Sequence, residues 1–201
     1  MDIETEAGRL LTIKGLTLSI AESCTGGLLC SRITDVPGSS AYFVGGVIAY
    51  SNKIKMQLLG VAQEALDTHG AVSAQVAIQM ARGVKERYGT DIGLGITGIA
   101  GPAESPCLQS TVKGMKNLSD EGSTSGNDGN MQKPVGLVYL SLVSTAECRT
   151  TPSAEKIICN RYKFIGTDKK SSDAASQRKD IRIQSTQTIL EMLLEYLKQV
   201  Y

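Results

Sequence analysis

Apolar and polar positions along this chain alternate between two rhythms, and the changes from one to the other predict its elements. Residues 4–14 carry Leu10, Leu11 and Ile13 among polar residues and stop at Gly15, which predicts a first helix with a glycine end. Residues 16–21 form a short, mostly apolar run, a first strand. After a glycine turn, Leu28, Leu29 and Ile33 continue into a second helix that Pro37-Gly38 closes. Residues 42–50 are aromatic and β-branched apart from Gly45-Gly46, so they read as a buried strand with a bulge or close contact at the paired glycines. Residues 56–59 turn helical up to Gly60. Ser73 caps a further helix in which Ala77, Met80, Ala81, Val84 and Tyr88 share one face.

Residues 91–97 give another strand, running into Gly98-Ile99-Ala100-Gly101-Pro102. From 103 to 132 the character changes to Ser, Gly, Asn, Asp and Lys without an aromatic residue, a polar insertion whose composition cannot fold alone. Strands follow at 137–143 and 156–165, the second pairing beside the first, and a second polar loop covers 166–172. The chain then enters a long helix with Ile189, Leu190, Leu193, Leu194 and Leu197 on one face. Strands and helices mix throughout without an internal repeat, so the fold class is α/β, with helices on both faces of one sheet.

A length of 201 residues suits one core, and the whole span 1–201 is expected to be a single domain. With 21 basic and 20 acidic residues there is no overall charge to steer the protein to nucleic acid or an anionic membrane. Any anionic ligand must be held locally. The five cysteines, Cys24, Cys30, Cys107, Cys148 and Cys159, are widely spaced and never in Cys-x-x-Cys form, which argues against a disulfide framework or a zinc site and fits a reducing, cytoplasmic setting. The acidic N-terminus lacks the features of a secretory signal, and no apolar run approaches membrane-spanning length.

A single histidine, His69, prunes the chemistry further. Histidine-rich metal sites are impossible within one chain, and a histidine base would have to be this residue, which lies just before a helix start and suits a loop or capping role better. Attention therefore moves to Ala-Glu-Ser-Cys-Thr-Gly-Gly at 21–27, which places a hydroxyl and a thiol on a strand-to-helix turn with two glycines. Ser23 can serve as a nucleophile there, with helix-start amides beside it and Gly26 and Gly27 allowing close approach to the backbone. The base it needs is then a lysine or tyrosine, and Tyr50 and Lys55 lie just past a strand end. On spacing alone, a capping Ser23 and a solvated Lys55 stay open as the alternative, and Cys24 remains a competing nucleophile.

Two further patterns are weighed on geometry. Tyr50 and Lys55 are five apart, whereas the Tyr-Lys pair of short-chain dehydrogenases stands four apart on one helix face. Gly93-Leu94-Gly95-Ile96-Thr97-Gly98 matches the dinucleotide fingerprint by letter but lies inside a strand and leads into Pro102 rather than a helix, a chance match. The turn 98–101 offers backbone amides to a carbonyl oxygen or a phosphate, or simply a tight connection, and Thr97 adds a hydroxyl.

Seven blocks in order carry a resemblance: Ala-Glu-Ser-Cys-Thr-Gly-Gly at 21–27, Pro-Gly-Ser-Ser at 37–40, Gly-Gly-Val-Ile-Ala-Tyr-Ser-Asn at 45–52 with Lys55, Leu-Gly-Val at 59–61, His-Gly-Ala-Val-Ser at 69–73, Gly-Ile-Ala-Gly-Pro at 98–102 and Lys-Pro-Val-Gly at 133–136. Together they resemble the CinA C-terminal domain family, whose members include nicotinamide mononucleotide deamidase. The resemblance implies a three-layer α/β/α sandwich and hydrolysis of the carboxamide of nicotinamide mononucleotide, without metal or cofactor, usually by a dimer. It implies a serine nucleophile at Ser23 with Tyr50 and Lys55 as partners, and a proton path from Ser23 to Lys55, directly or through Tyr50. Thr97 falls on the hydroxyl residue before Gly-Ile-Ala-Gly. Thr25, Gly26, Gly27 and Asn52 from the earlier blocks, with Gly98, Ala100 and Gly101, are expected to line the substrate. Two arginines four apart, Arg178 and Arg182, are similar to a pair that opens the family's last helix, and either could meet a phosphate or form a surface ion pair.

The insertion at 103–132 departs from the short glycine-rich link usual in the family. The separate nucleotide hydrolase activity of an N-terminal molybdopterin-binding-like domain, often joined to this one, is not carried over. Two rivals stay open: a module that binds nucleotide without turning it over, and an amidase for another small amide.

Overall fold

A computed structural model describes residues 2–101, 133–146, 154–166 and 174–200. The insertion at 103–132, with Cys107, the polar loop after Gly166, and Cys148 lie outside the described residues. Among these residues five strands form one sheet in the order β2-β1-β3-β4-β5: β1 is Leu18–Glu22, β2 Phe43–Ile48, β3 Ile92–Gly98, β4 Leu137–Ser144 and β5 Lys156–Lys163. β1 runs parallel to both β2 and β3, while β3–β4 and β4–β5 are antiparallel.

Among the described residues six α-helices accompany the sheet: α1 Ile3–Lys14, α2 Leu28–Thr34, α3 Asn52–Leu59, α4 Gln63–His69, α5 Ala74–Tyr88 and α6 Ala174–Gln199. Side chains of α1, α2 and α6 share a core with Leu18, Ile20, Leu94, Ile96, Leu140 and Leu142. Those of α3, α4 and α5 enclose a second core with Ala21 and Val47. Helices thus cover both faces, and the fold is a three-layer α/β/α sandwich. The long apolar face expected at the chain's end is met: Ile189, Leu190, Leu193 and Leu197 are fully buried with Leu194 partly so, and the adjoining Tyr196 hydroxyl donates to Ser144 Oγ at 2.8 Å.

The glycines of the dinucleotide-like letters have a packing cause. A Cβ on Gly93 would lie 2.1 Å from the Ala81 carbonyl oxygen and one on Gly95 2.4 Å from that of Ala77. Glycine at alternate positions of β3, facing alanines of α5, lets helix and sheet approach closely. That packing explains the glycines of the strand without a phosphate.

Four expectations change. β2 is the edge strand, not a buried one: Val44 and Ile48 are about half exposed, because the sheet order leaves one side without a partner. The bulge falls one residue before the paired glycines, where the β1–β2 register skips Val44 between Leu18↔Phe43 and Ser19↔Gly45, and the close contact is at Gly46, where a Cβ would lie 2.5 Å from Cys30 Sγ. β1 starts two residues later than the run at 16, where Thr17 is instead held by the Asp91 carboxylate through its amide and hydroxyl, at 2.9 and 2.8 Å. The helix expected from 56 already begins at Asn52, capped by Ser51 Oγ accepting from the Ile54 amide at 3.3 Å. His69 is the last residue of α4, a helix absent from the sequence reading, and it lies ahead of α5 as expected.

Candidate active site

The order of the strands creates the site. The chain leaves β1 through α2 towards β2 on one side, and leaves β3 towards β4 on the other. The crevice between the carboxyl ends of these neighbouring parallel strands is a topological switch point, where open α/β sheets leave room for a ligand. Ser23 follows the end of β1 and the turn 98–101 follows β3; the Ser23 amide donates to the Ile96 carbonyl at 3.0 Å, so the two are stitched together.

Lys55 comes to Ser23 from the second turn of α3. Its Nζ lies 3.1 Å from Ser23 Oγ, 2.8 Å from the Ala49 carbonyl oxygen and 3.5 Å from that of Tyr50. The side chain is 2% exposed, and burial lowers its ammonium from 10.5 to about 8. A neutral amine has two hydrogens and one lone pair. With the two carbonyls taking the hydrogens, the lone pair is left for the hydroxyl of Ser23.

Cys24 takes the other direction. It is buried in the core shared with α1, α2 and α6, and burial pushes its thiol up from 9.0 to about 12. Such a thiol carries almost no thiolate at neutral pH and is a poor nucleophile.

The amides that begin α2 are not open donors, as the turn alone suggested. Glu22, fully buried, accepts from the amides of Gly27 at 3.0 Å, Leu29 at 3.2 Å and Cys30 at 2.8 Å. A carboxylate there satisfies the helix's orphan donors and complements its dipole. Sequence reasoning missed this role; the available signal was a lone charge ending an otherwise apolar strand. Gly26 and Gly27, with φ of 60° and 95°, let the chain turn sharply between Ser23 and the capped helix. Among the described residues, the amides of Cys24 and Thr25 donate to no acceptor in the turn, and they stand directly after Ser23. In the turn after β3, the Ile99 amide is used by the Leu137 carbonyl, which leaves those of Ala100 and Gly101.

The remaining candidates divide. Thr97 is buried and its hydroxyl donates to the Ala71 carbonyl at 2.7 Å, so it anchors the loop after α4 to the end of β3. Asn52 opens α3, half-buried, three residues before Lys55. Thr25 is fully buried, and its hydroxyl oxygen has no hydrogen-bond partner among the described residues. Arg182 donates to the Thr25 carbonyl through both Nε, at 3.1 Å, and Nη2, at 2.6 Å, and therefore braces the turn that follows β1. Tyr50 does not stand between Ser23 and Lys55: it is 60% exposed, and its hydroxyl accepts from Arg178 Nη2 at 2.7 Å. Arg178 also lies against Gly101, where an added Cβ would be 3.2 Å from its Cβ. Among the described residues no group of His, Cys, Asp and Glu could hold a metal ion, and no helix is long and apolar enough to cross a membrane.

The comparisons with known proteins agree with this architecture. The family model of the CinA C-terminal domain matches residues 1–115. A competence-damage inducible relative of Moorella thermoacetica is 41% identical over 196 residues, 98% of this chain and 37% of its own length. A CinA-like protein of Geotalea uraniireducens is 45% identical over 164 residues, 82% of this chain and 31% of its own. The chain thus spans about a third of the length of these curated relatives. The crystal structure of a competence/damage inducible protein from Agrobacterium tumefaciens superposes with a TM-score of 0.70 at 32% identity, covering 98% of this chain and 96% of that one. A CinA superfamily protein from Klebsiella pneumoniae gives 0.72 at 25% identity with the same coverage. The chain belongs to the CinA C-terminal domain family.

Proposed function

We propose that this chain hydrolyses the carboxamide of nicotinamide mononucleotide to nicotinate mononucleotide and ammonia, with Ser23 as nucleophile and Lys55 as its base. The observation that carries the reading is the buried contact of Lys55 Nζ with Ser23 Oγ at 3.1 Å. Held at about 8, roughly a tenth of Lys55 is neutral at pH 7, enough to run general-base chemistry without a histidine.

Lys55 takes the Ser23 hydroxyl proton as the oxygen attacks the carboxamide carbon. The oxyanion forms within reach of the Cys24 and Thr25 amides, which are preorganised by the Arg182 brace and the Glu22 cap. Lys55 returns its proton to the departing nitrogen, and ammonia leaves an acyl-serine. Water then attacks that ester with Lys55 again accepting a proton, which it passes to the departing Ser23 oxygen as the acid is released and ionises to the carboxylate. No step calls for a metal ion or a cofactor. Tyr50 is not needed as a relay between serine and lysine, since the two are in direct contact.

Ammonia release from nicotinamide mononucleotide, free nicotinamide and other small amides, with Lys55→Ala as the control, tests this. Turnover of the mononucleotide that Lys55→Ala abolishes is the expected result. Turnover of another amide alone leaves the chemistry and removes the substrate, while nucleotide binding without turnover makes the chain a binding module. A cytoplasmic homodimer is part of the same proposal, the dimer to be checked by light scattering.

A further inference from the structure

Arg178 and Arg182 enter the site from the same helix face but are differently committed. Arg182 gives two donors to the Thr25 carbonyl. Arg178 makes one hydrogen bond among the described residues, to an exposed phenol. Its two contacts fall on opposite sides of the nucleophile. Gly101 follows β3 and Tyr50 follows β2, and β1, whose end carries Ser23, lies between those strands. The Arg178–Tyr50 pair therefore spans the crevice across the end of β1, and Ser23, which follows that end, is only 8% exposed.

We propose that this pair is a latch that an anionic group on the substrate opens. The proposal rests on the amide-hydrolysis reading and names how that site selects its substrate. A guanidinium bonded to one neutral phenol exchanges it readily for a phosphate, which offers charge and two acceptors. Once Arg178 turns to the anion, the crevice opens and the Tyr50 hydroxyl is released to bond the amide above Ser23. Its backbone carbonyl lies 3.5 Å from Lys55 Nζ, which sets Tyr50 next to the lysine. Neutral amides cannot take Arg178 and meet a closed crevice. Arg182 stays on Thr25 throughout.

Linkage makes the latch testable, because a ligand whose partner must first be released binds more weakly by the fraction released. Inorganic phosphate binding is measured by calorimetry on the full chain. Tyr50→Phe, which removes the competing hydroxyl, should bind phosphate about fivefold tighter than wild type, the yield expected from one solvent-accessible hydrogen bond. Equal or weaker binding overturns the proposal, and this arm needs no turnover. In the kinetic arm, Arg178→Gln should lower kcat/KM for nicotinamide mononucleotide yet raise it severalfold for nicotinamide riboside, the same amide without the phosphate. That gain should shrink when Tyr50→Phe is added, because the crevice stays open and only the hydroxyl is lost. Loss on both substrates overturns the latch. If wild type hydrolyses neither, the proposed activity falls, and the phosphate titration still decides the latch. Melting temperatures of the variants control for folding.

Discussion

Lys55 makes a prediction whose size follows from its burial. Its folded-state value of about 8 stands against 10.5 for an ordinary lysine. Below about pH 8 the side chain is charged in both folded and unfolded chains, and the folded state carries the full cost of burying that charge. Between pH 8 and 10.5 the unfolded chain binds more protons than the folded one, so stability rises with pH through that window. At 1.36 kcal/mol per pH unit of difference, the cost is about 3 kcal/mol at pH 7 and about 1 kcal/mol at pH 10. Lys55→Met keeps an unbranched stem and removes the titration. Urea unfolding of both proteins at pH 7 and pH 10 then isolates the effect, because every other titrating group cancels in the difference. Wild type should gain about 2 kcal/mol on Lys55→Met between the two pH values. A stability difference that does not move with pH would refute a desolvated lysine beside Ser23. The same group should appear in kcat/KM, rising with pH towards a plateau above about 8.

The rest of the turn yields further tests. Glu22→Gln removes the charge that caps α2 and leaves one of three backbone amides poorly matched, so thermal and urea unfolding should report a loss of about 1–3 kcal/mol. Cys24→Ala should keep most of the amide turnover and cost only about 1 kcal/mol, since the thiol is a buried packing group held near 12; loss of turnover with retained folding would make the thiol the nucleophile. Arg182→Gln should lower kcat roughly tenfold or more with little change in KM, because it loosens the turn that carries the oxyanion amides rather than a substrate contact.

Much of this was legible in the residues, and what was not has identifiable causes. A single histidine narrowed the base to Lys55 or Tyr50, and the strand-to-helix turn located Ser23. That Lys55 rather than Tyr50 touches Ser23 depends on which flank of β1 receives β2 and on where α3 begins, and pairing over 32 residues of separation has no local signature. The same topology made the apolar run of β2 an edge strand, since β-branched residues look alike in a central strand and an edge. α4 escaped notice because only Ala65 and Leu66 are buried in its seven residues, too few to set a helical period. Glu22 and the Ala49 carbonyl were invisible for opposite reasons: a buried acid looks like any acid in a string of letters, and a backbone oxygen has no letter at all. The glycines of β3 could be counted, but their purpose belonged to α5.

Ser23→Ala is the variant that bears most directly on a serine mechanism. The alanine variant removes the attacking oxygen, leaves Lys55 its bond to the Ala49 carbonyl, and should fold with an unchanged melting temperature. Measured as ammonia released from nicotinamide mononucleotide, its turnover should fall by a factor on the order of 10⁴ or more. Turnover at the wild-type rate would contradict the serine mechanism.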